Sequence, residues 1–380
     1  MVNSNTSALG IIFPNNYDEF IPELVSVRMM ASIPFASRYR LIDFTLSGMV
    51  NCGINNISIV ANKNYQSLMD HLGSGREWDL VRKNGGLHLI PPFAEKDAKA
   101  YSGRVDALYN LRGFLKRQKE KYVILSASNV VANFDYSAMI ENHAASGADI
   151  TVAYRPQEIP EGYKNEQDDS KGFYYTFRID NGRITKIFVN SKDDGIQDVS
   201  LSIFVIEREL LIKLVEEATK LGQRYFERDV LLPQLDKLNI QAYKYDGYIA
   251  YITSMKSYFD ENMKLLDERN LDALFEPAPV YTKVRDDNPT AYLEGSRASN
   301  VMVADGCMIE GEIENSILFR GVKVGKGAKV KNCILMQDTV IEPGVDVEYA
   351  ITDKQVTITA GKQLKGTDTF PVYIAKFQTV

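Results

Sequence analysis

Cysteine is scarce in this chain: Cys52, Cys307 and Cys333 are the three in 380 residues. They lie far apart with no C-x-x-C pair, which excludes a disulfide framework and a cysteine zinc site and predicts buried, reduced thiols. There is one tryptophan, Trp78, and the only histidines are His71, His88 and His143. Nowhere do about 18 apolar residues run together, and no basic segment followed by a long apolar stretch opens the chain, so no membrane partner is expected and the predicted location is the cytoplasm. Positive charge is not in excess either. A net charge of -6 and a pI near 5.4 leave no basic face of the kind nucleic acid or an anionic membrane requires. Small molecules and other proteins are the partners this charge suits.

What is present is ordinary globular composition, with 45% hydrophobic and 25% charged residues, over a length that accommodates two or more domains. Across residues 1–256, short apolar runs alternate with helical patterns: SALGIIF (7–13), NISIVA (56–61), YVILSAS (122–128) and ADITVAY (148–154). This alternation predicts an α/β domain of Rossmann-like α/β/α layering. Between the last two runs, Met139, Ile140 and His143 fall at helical spacing ahead of Gly147, a helix cap, so one βαβ unit is readable. Residues 257–290 read as a connecting helix (SYFDENMKLLDERNLDALFE, 257–276) and a proline-containing linker.

From 291 to 380 the period changes to six. Cys307 and Ile313; Val324, Val330 and Met336; Val322, Ala328, Ile334 and Val340; and Ile341 and Val347 recur in hexapeptide register, with glycines at the corners. That pattern predicts a left-handed parallel β-helix; hairpins would give period two with NG or DG turns. Lys323, Lys326, Lys329 and Lys331 alternate outward as a solvated face.

Four segments, in order, carry a resemblance: SRYRLIDFTLSGMVNCGINNI (37–57), HLGSGREWDLVRKNGGLHLIPPF (71–93), YSGRVDALYNL (101–111) and DGCMIEGEIENSILFRGVKVGKGA (305–328). Together they resemble the glucose-1-phosphate adenylyltransferase family over nearly the whole chain. The resemblance implies a nucleotidyltransferase-like α/β/α domain followed by the β-helix. It also implies a reaction in which AMP passes from ATP to the phosphate of glucose 1-phosphate, releasing pyrophosphate. Such chemistry needs a glycine-rich loop for the triphosphate, a basic residue beside it and aspartates that hold Mg²⁺.

Those features are absent at the matching positions. The family's glycine loop falls on FPNNYDEFIPEL (13–24); no glycine stands between Gly10 and Gly48, and Asp18, Glu19 and Glu23, with Asp43 farther on, precede or surround the first basic residue, Arg28. Carboxylates repel a polyphosphate, and side chains in place of glycine keep the backbone away from it. The family's phosphate lysine falls on Met30, its two metal aspartates on Ser128 and Tyr251, and its sugar-phosphate Glu-Lys pair on Asn190 and Ser191. These losses at one site, beside structural segments that keep their resemblance, match the GlgD-type regulatory subunits of the family.

No catalytic residue, metal ligand or cofactor is therefore expected in this chain, and Mg²⁺ belongs to a catalytic partner. The resemblance implies that partner to be a catalytic glucose-1-phosphate adenylyltransferase subunit, in a hetero-tetramer, or else a homo-oligomer, with a sugar phosphate or nucleotide as effector. Residual binding positions are Arg38, Arg40, Asp43, Gly103, Asp106, Arg228 and Asp229. Arg38 and Arg40 flank Tyr39, so that they either face a phosphate together or pair with Asp43 and other carboxylates. Asp106 lies where the family meets the nucleotide, or else caps a helix; Arg228 and Asp229 match a Lys-Asp pair near the sugar. Trp78 is either a stacking platform or a core anchor. A weakly active nucleotidyltransferase is the alternative function. The acyltransferases that share the hexapeptide fold use a β-helix histidine, and all three histidines here precede the repeats.

Overall fold

The computed structural model describes residues 7–15, 17–91, 101, 103–164 and 173–380. The last two residues of the 71–93 segment lie outside them. A nine-stranded mixed sheet forms the first domain, in the order β5 (Gly86–Ile90), β4 (Asn56–Val60), β1 (Ala8–Phe13), β6 (Tyr122–Ala127), β11 (Ile196–Glu207), β8 (Ile150–Glu158), β12 (Ile240–Lys244), β10 (Arg183–Val189) and β9 (Tyr175–Asp180). Strand β1 pairs in parallel with both β4 and β6. Every residue of β4 and β6 is buried, as expected of strands with helices on both faces, and this explains why they read as unbroken apolar runs.

The four predicted strands all fall in this sheet. The helix between the last two, Tyr136–Ser146, is capped by Asp135 and ends at Gly147 with φ 63, and Met139, Ile140 and His143 are buried on one of its faces. The βαβ unit is less simple than the sequence suggests: β11 lies between β6 and β8, antiparallel to both. The stretch predicted as one connecting helix forms two, α6 (Met255–Met263) and α7 (Glu268–Phe275), because Asp267 turns extended and caps the second by accepting from the Arg269 N–H. Helices α1 (Leu41–Asn51), α2 (Gln66–Leu72), α3 (Arg104–Asn110), α4 (Tyr136–Ser146) and α5 (Arg208–Lys220) precede them in the chain.

The second domain is a left-handed parallel β-helix, its short strands stacking in parallel from Ala291–Tyr292 to Val372–Ile374. Pairs such as Ile313 with Val330 and Val330 with Val347 set a rung spacing of seventeen residues, close to three hexapeptides. The inward positions are buried except Val340, which is half-exposed beside buried Ile341. The four outward lysines are exposed. No helix among the described residues is long and apolar enough to cross a membrane.

The domains share one core. Ile33, Phe35 and Phe44 from the first pack with Ile317, Met336 and Ile351 from the second, together with Tyr258 and Phe259 of α6. Through this seam runs an ion pair between Arg28 and Asp353, 2.7 Å apart and each side chain only 2% exposed. Arg28 also donates to the Leu24 carbonyl, and the Tyr373 hydroxyl bonds Asp353. Removing one member of so buried a pair leaves an unpaired charge. Asp353→Ala is therefore expected to cost about 3–5 kcal/mol in guanidinium unfolding, and Arg28→Met with Asp353→Met much less; equal losses for the two would mean the charges contribute nothing.

Candidate functional site

One cavity lies at the carboxyl ends of the sheet strands and another at the domain seam. In the first domain, the turn after β1 decides what can bind. Tyr17 takes φ 68, a left-handed conformation that glycine adopts freely and other residues rarely do. Its ring lies 5.7 Å from both Phe20 and Tyr163, and its hydroxyl bonds Ser202. Where a glycine loop would bring backbone N–H groups toward a phosphate, this turn presents rings. Asp18 and Glu19 face the cavity that remains, and burial pushes the Asp18 carboxyl up to about 6 against hydrogen bonds from Asn15 and the Met30 N–H.

The positions matching lost catalytic residues gather on two stacked tyrosines. Tyr163 and Tyr174 lie face to face at 4.9 Å, and both are buried. Tyr251 packs edge-on to Tyr163 at 6.5 Å, and Asn129, next to Ser128, donates to the Tyr163 hydroxyl. Asn190 accepts from the Tyr174 N–H, and the Ser191 carbonyl accepts from the Tyr174 hydroxyl. Met30 is fully buried and gives only its backbone N–H, to Asp18. The family's magnesium does not fit: its two aspartate positions carry a buried Ser128 hydroxyl and a buried Tyr251 phenol, neither with a hydrogen-bond partner, and burial raises the Tyr251 phenol far above its ordinary pKa. Among the described residues, no three His, Cys, Asp or Glu side chains gather to hold a metal.

Of the other sequence candidates in this domain, Gly103 lines the cavity and caps α3. A Cβ there would lie 2.4 Å from the Arg224 carbonyl, so close approach requires glycine. Asp106 is half-buried in the first turn of α3 and is not its cap, since Gly103 holds that place. Arg228 and Asp229 pair with each other at 2.7 Å; Asp229 also accepts the Arg224 and Tyr225 N–H groups, and Arg228 stacks on Phe173 and Tyr225. Trp78 is 1% exposed and edge-on to His71, a core anchor.

Arg38 and Arg40 do share a face. A tight hairpin, β2 (Pro34–Phe35) to β3 (Tyr39–Arg40), carries them into a cleft of about 280 Å³ between the domains. Its turn holds Ala36 and Ser37 at φ 49 and 60, and α6 clamps it: Asn262 accepts the Ala36 N–H and Tyr258 donates to the Pro34 carbonyl. Four further basic residues line the cleft, Lys283, Arg285, Arg320 and Lys354, and among the described residues no carboxylate does. Sequence reasoning missed all four, because each reads as an ordinary solvated basic residue.

Of the two readings of the arginines, pairing with a carboxylate is seen for Arg38. Arg38 pairs with Asp305 of the β-helix, while the Arg40 guanidinium donates to Ser67. Asp43 accepts the Arg40 N–H and bonds His71 at 2.6 Å, and burial holds His71 below its ordinary pKa despite that carboxylate. Crowding of like charge shows on the cations. Burial first, then Arg40 and Arg28, push Lys354 down to about 6, and burial lowers Arg40 to about 10. Converging basic side chains of this kind offer donors and charge that suit an anion with several oxygens.

A profile of the Nucleotidyl transferase family matches residues 24–267, and one of the GlmU-like, C-terminal hexapeptide family matches 285–369. Similar proteins include the "Glycogen biosynthesis protein GlgD" of Bacillus subtilis, 33% identical over 98% of this chain and 96% of that protein. A protein of the same name from Geobacillus stearothermophilus is 36% identical over 86% of the chain and 83% of its own length. A "Glucose-1-phosphate adenylyltransferase" of G. stearothermophilus is 30% identical over 79% and 77%.

Lys354 makes the cleft's response to pH predictable. Its folded pKa lies below the ordinary lysine value, so at pH 7.5 the empty cleft holds it neutral, and a bound anion restores the proton. Sulfate, which does not titrate in this range, should bind with proton uptake and weaken as pH rises above about 6. Calorimetry in buffers of different ionisation enthalpy reads this directly, and Lys354→Met should abolish the uptake.

Proposed function

This chain belongs to the nucleotidyl transferase family, among the glucose-1-phosphate adenylyltransferases and the GlgD glycogen biosynthesis proteins, and we propose that within it the chain is a regulatory, non-catalytic subunit. In this reading it assembles with a catalytic glucose-1-phosphate adenylyltransferase, in a hetero-tetramer, and acts in glycogen synthesis by biasing its partner between states of low and high activity. Mg²⁺ works in the partner. The observation that carries the reading is the stacked Tyr163–Tyr174 pair, into which Ser128, Asn190, Ser191 and Tyr251 are tied directly or through a neighbour. Four separately lost polar functions sustain one packed aromatic cluster, which supports a remodelled site over a damaged one.

The open cationic cleft supplies the other half of the reading. Arg38, Arg40, Arg320 and Lys354 converge from both domains, so a phosphate-bearing effector seated there would bear on how the domains meet. Binding energy spent at such a seam can be passed to a partner only if the two states differ in the cleft.

Pyrophosphate release from ATP and glucose 1-phosphate with Mg²⁺ tests this, comparing the chain alone, a catalytic homologue alone and the two co-purified. The expected result is no turnover by the chain alone and an altered rate or affinity in the mixture, with Arg320→Glu reducing that alteration. Robust turnover by the chain alone would establish the weakly active enzyme instead.

A further inference from the structure

The cavity at the ends of β1 and β4 measures about 310 Å³ and is lined largely by rings, including Phe13, Tyr101, Phe173, Tyr175 and Tyr225. Among the described residues that line it, the buried cation is Arg104. Arg104 opens α3, and its Nη1 donates to Glu227 Oε1 at 2.6 Å, with the two side chains 7% and 6% exposed. The guanidinium also lies over the Phe13 and Phe204 rings, 5.0 and 5.5 Å from their centres.

An incoming phosphate would have to displace Glu227, leaving a carboxylate buried without a partner, a state that costs far more than an exposed pair. Asp18 and Glu19 in the same lining add repulsion, and Lys63 is exposed. An uncharged ring compound meets no such obstacle: aromatic faces pack against its C–H groups, and carboxylates and amides accept its hydroxyls.

We propose that Glu227 is a built-in counterion in the anion position of this cavity, making it a site for an unphosphorylated sugar that turns phosphate esters away. The inference rests on this cavity alone and holds whether or not the chain regulates a partner.

The test titrates the full chain, Glu227→Gln, and Arg104→Met with Glu227→Met, against maltose and against inorganic phosphate, counting equivalents bound per chain and following Tm. Maltose is the probe because it is neutral and long enough to span several rings. The wild type should bind maltose. Glu227→Gln should take up one more equivalent of phosphate than the wild type, and its Tm should climb more steeply with phosphate. The double variant, lacking both charges, should take up no extra equivalent. Failure of the wild type to bind maltose would overturn the ligand class. A folded Glu227→Gln chain with no extra equivalent would overturn the counterion role. So would a Glu227→Gln chain unfolded at every phosphate concentration while the double variant folds, since an exposed guanidinium would have drawn the anion.

Discussion

The seam between the two domains is the constraint on which the rest depends. It joins the first forty-five or so residues to β-helix residues between Ile317 and Asp353 through one apolar cluster and the buried Arg28–Asp353 pair. Six cations facing one cleft repel one another, and a mobile surface would relax by letting them part. Here the seam prevents this: Arg38 and Arg40 ride a hairpin clamped by α6, and Arg320 and Lys354 project from rigid β-helix rungs. Burial first, and then the neighbouring Arg40 and Arg28 guanidiniums, lower the pKa of Lys354 to about 6. A cleft held in that condition has been paid for by packing elsewhere, and an anion that enters it relieves repulsion as well as making hydrogen bonds.

Much of this was legible in the sequence, for reasons that differ by element. Period six survives in the β-helix because every inward position must be small or branched, and the buried strands β4 and β6 read as plain apolar runs. The absences were legible because a charge or a glycine is required where Met30, Ser128 and Tyr251 stand. What fills the gap was not. Tyr163, Tyr174 and Tyr251 meet across nearly ninety residues of chain, and no local spacing announces three tyrosines as one cluster. Arg104 and Glu227 are likewise distant in sequence and joined only by the fold. Lys354 sits at a repeat corner that looks solvated from sequence, and only the neighbouring domain makes it half-buried. The 257–276 stretch read as one helix is a boundary error, since Asp267 caps a second helix, and of the two alternatives for Asp106 the cap is taken by Gly103.

The two cavities differ in electrostatic character. At the ends of the strands, where a doubly wound sheet ordinarily binds its ligand, the buried Arg104 is neutralised by Glu227, and carboxylates face the opening. At the seam, cations are concentrated and the nearest carboxylates, Asp43, Asp287 and Asp305, are engaged with His71, Arg285 and Arg38. Within one chain, positive charge is concentrated at the domain boundary and is balanced by carboxylates at the ends of the sheet strands.

The two regions are not independent, because they are two residues apart in the chain. Arg28 is anchored to Asp353 of the β-helix, and Met30 gives its backbone N–H to Asp18, which lines the cavity in the first domain. That hydrogen bond is among those that keep the buried Asp18 carboxyl from rising further above its ordinary value. A displacement of the β-helix that pulled on Arg28 would therefore be felt at Asp18 through a segment too short to absorb it. Met30, where the family resemblance places a phosphate lysine, carries no charge, and through its backbone N–H it links the seam to the cavity in the first domain.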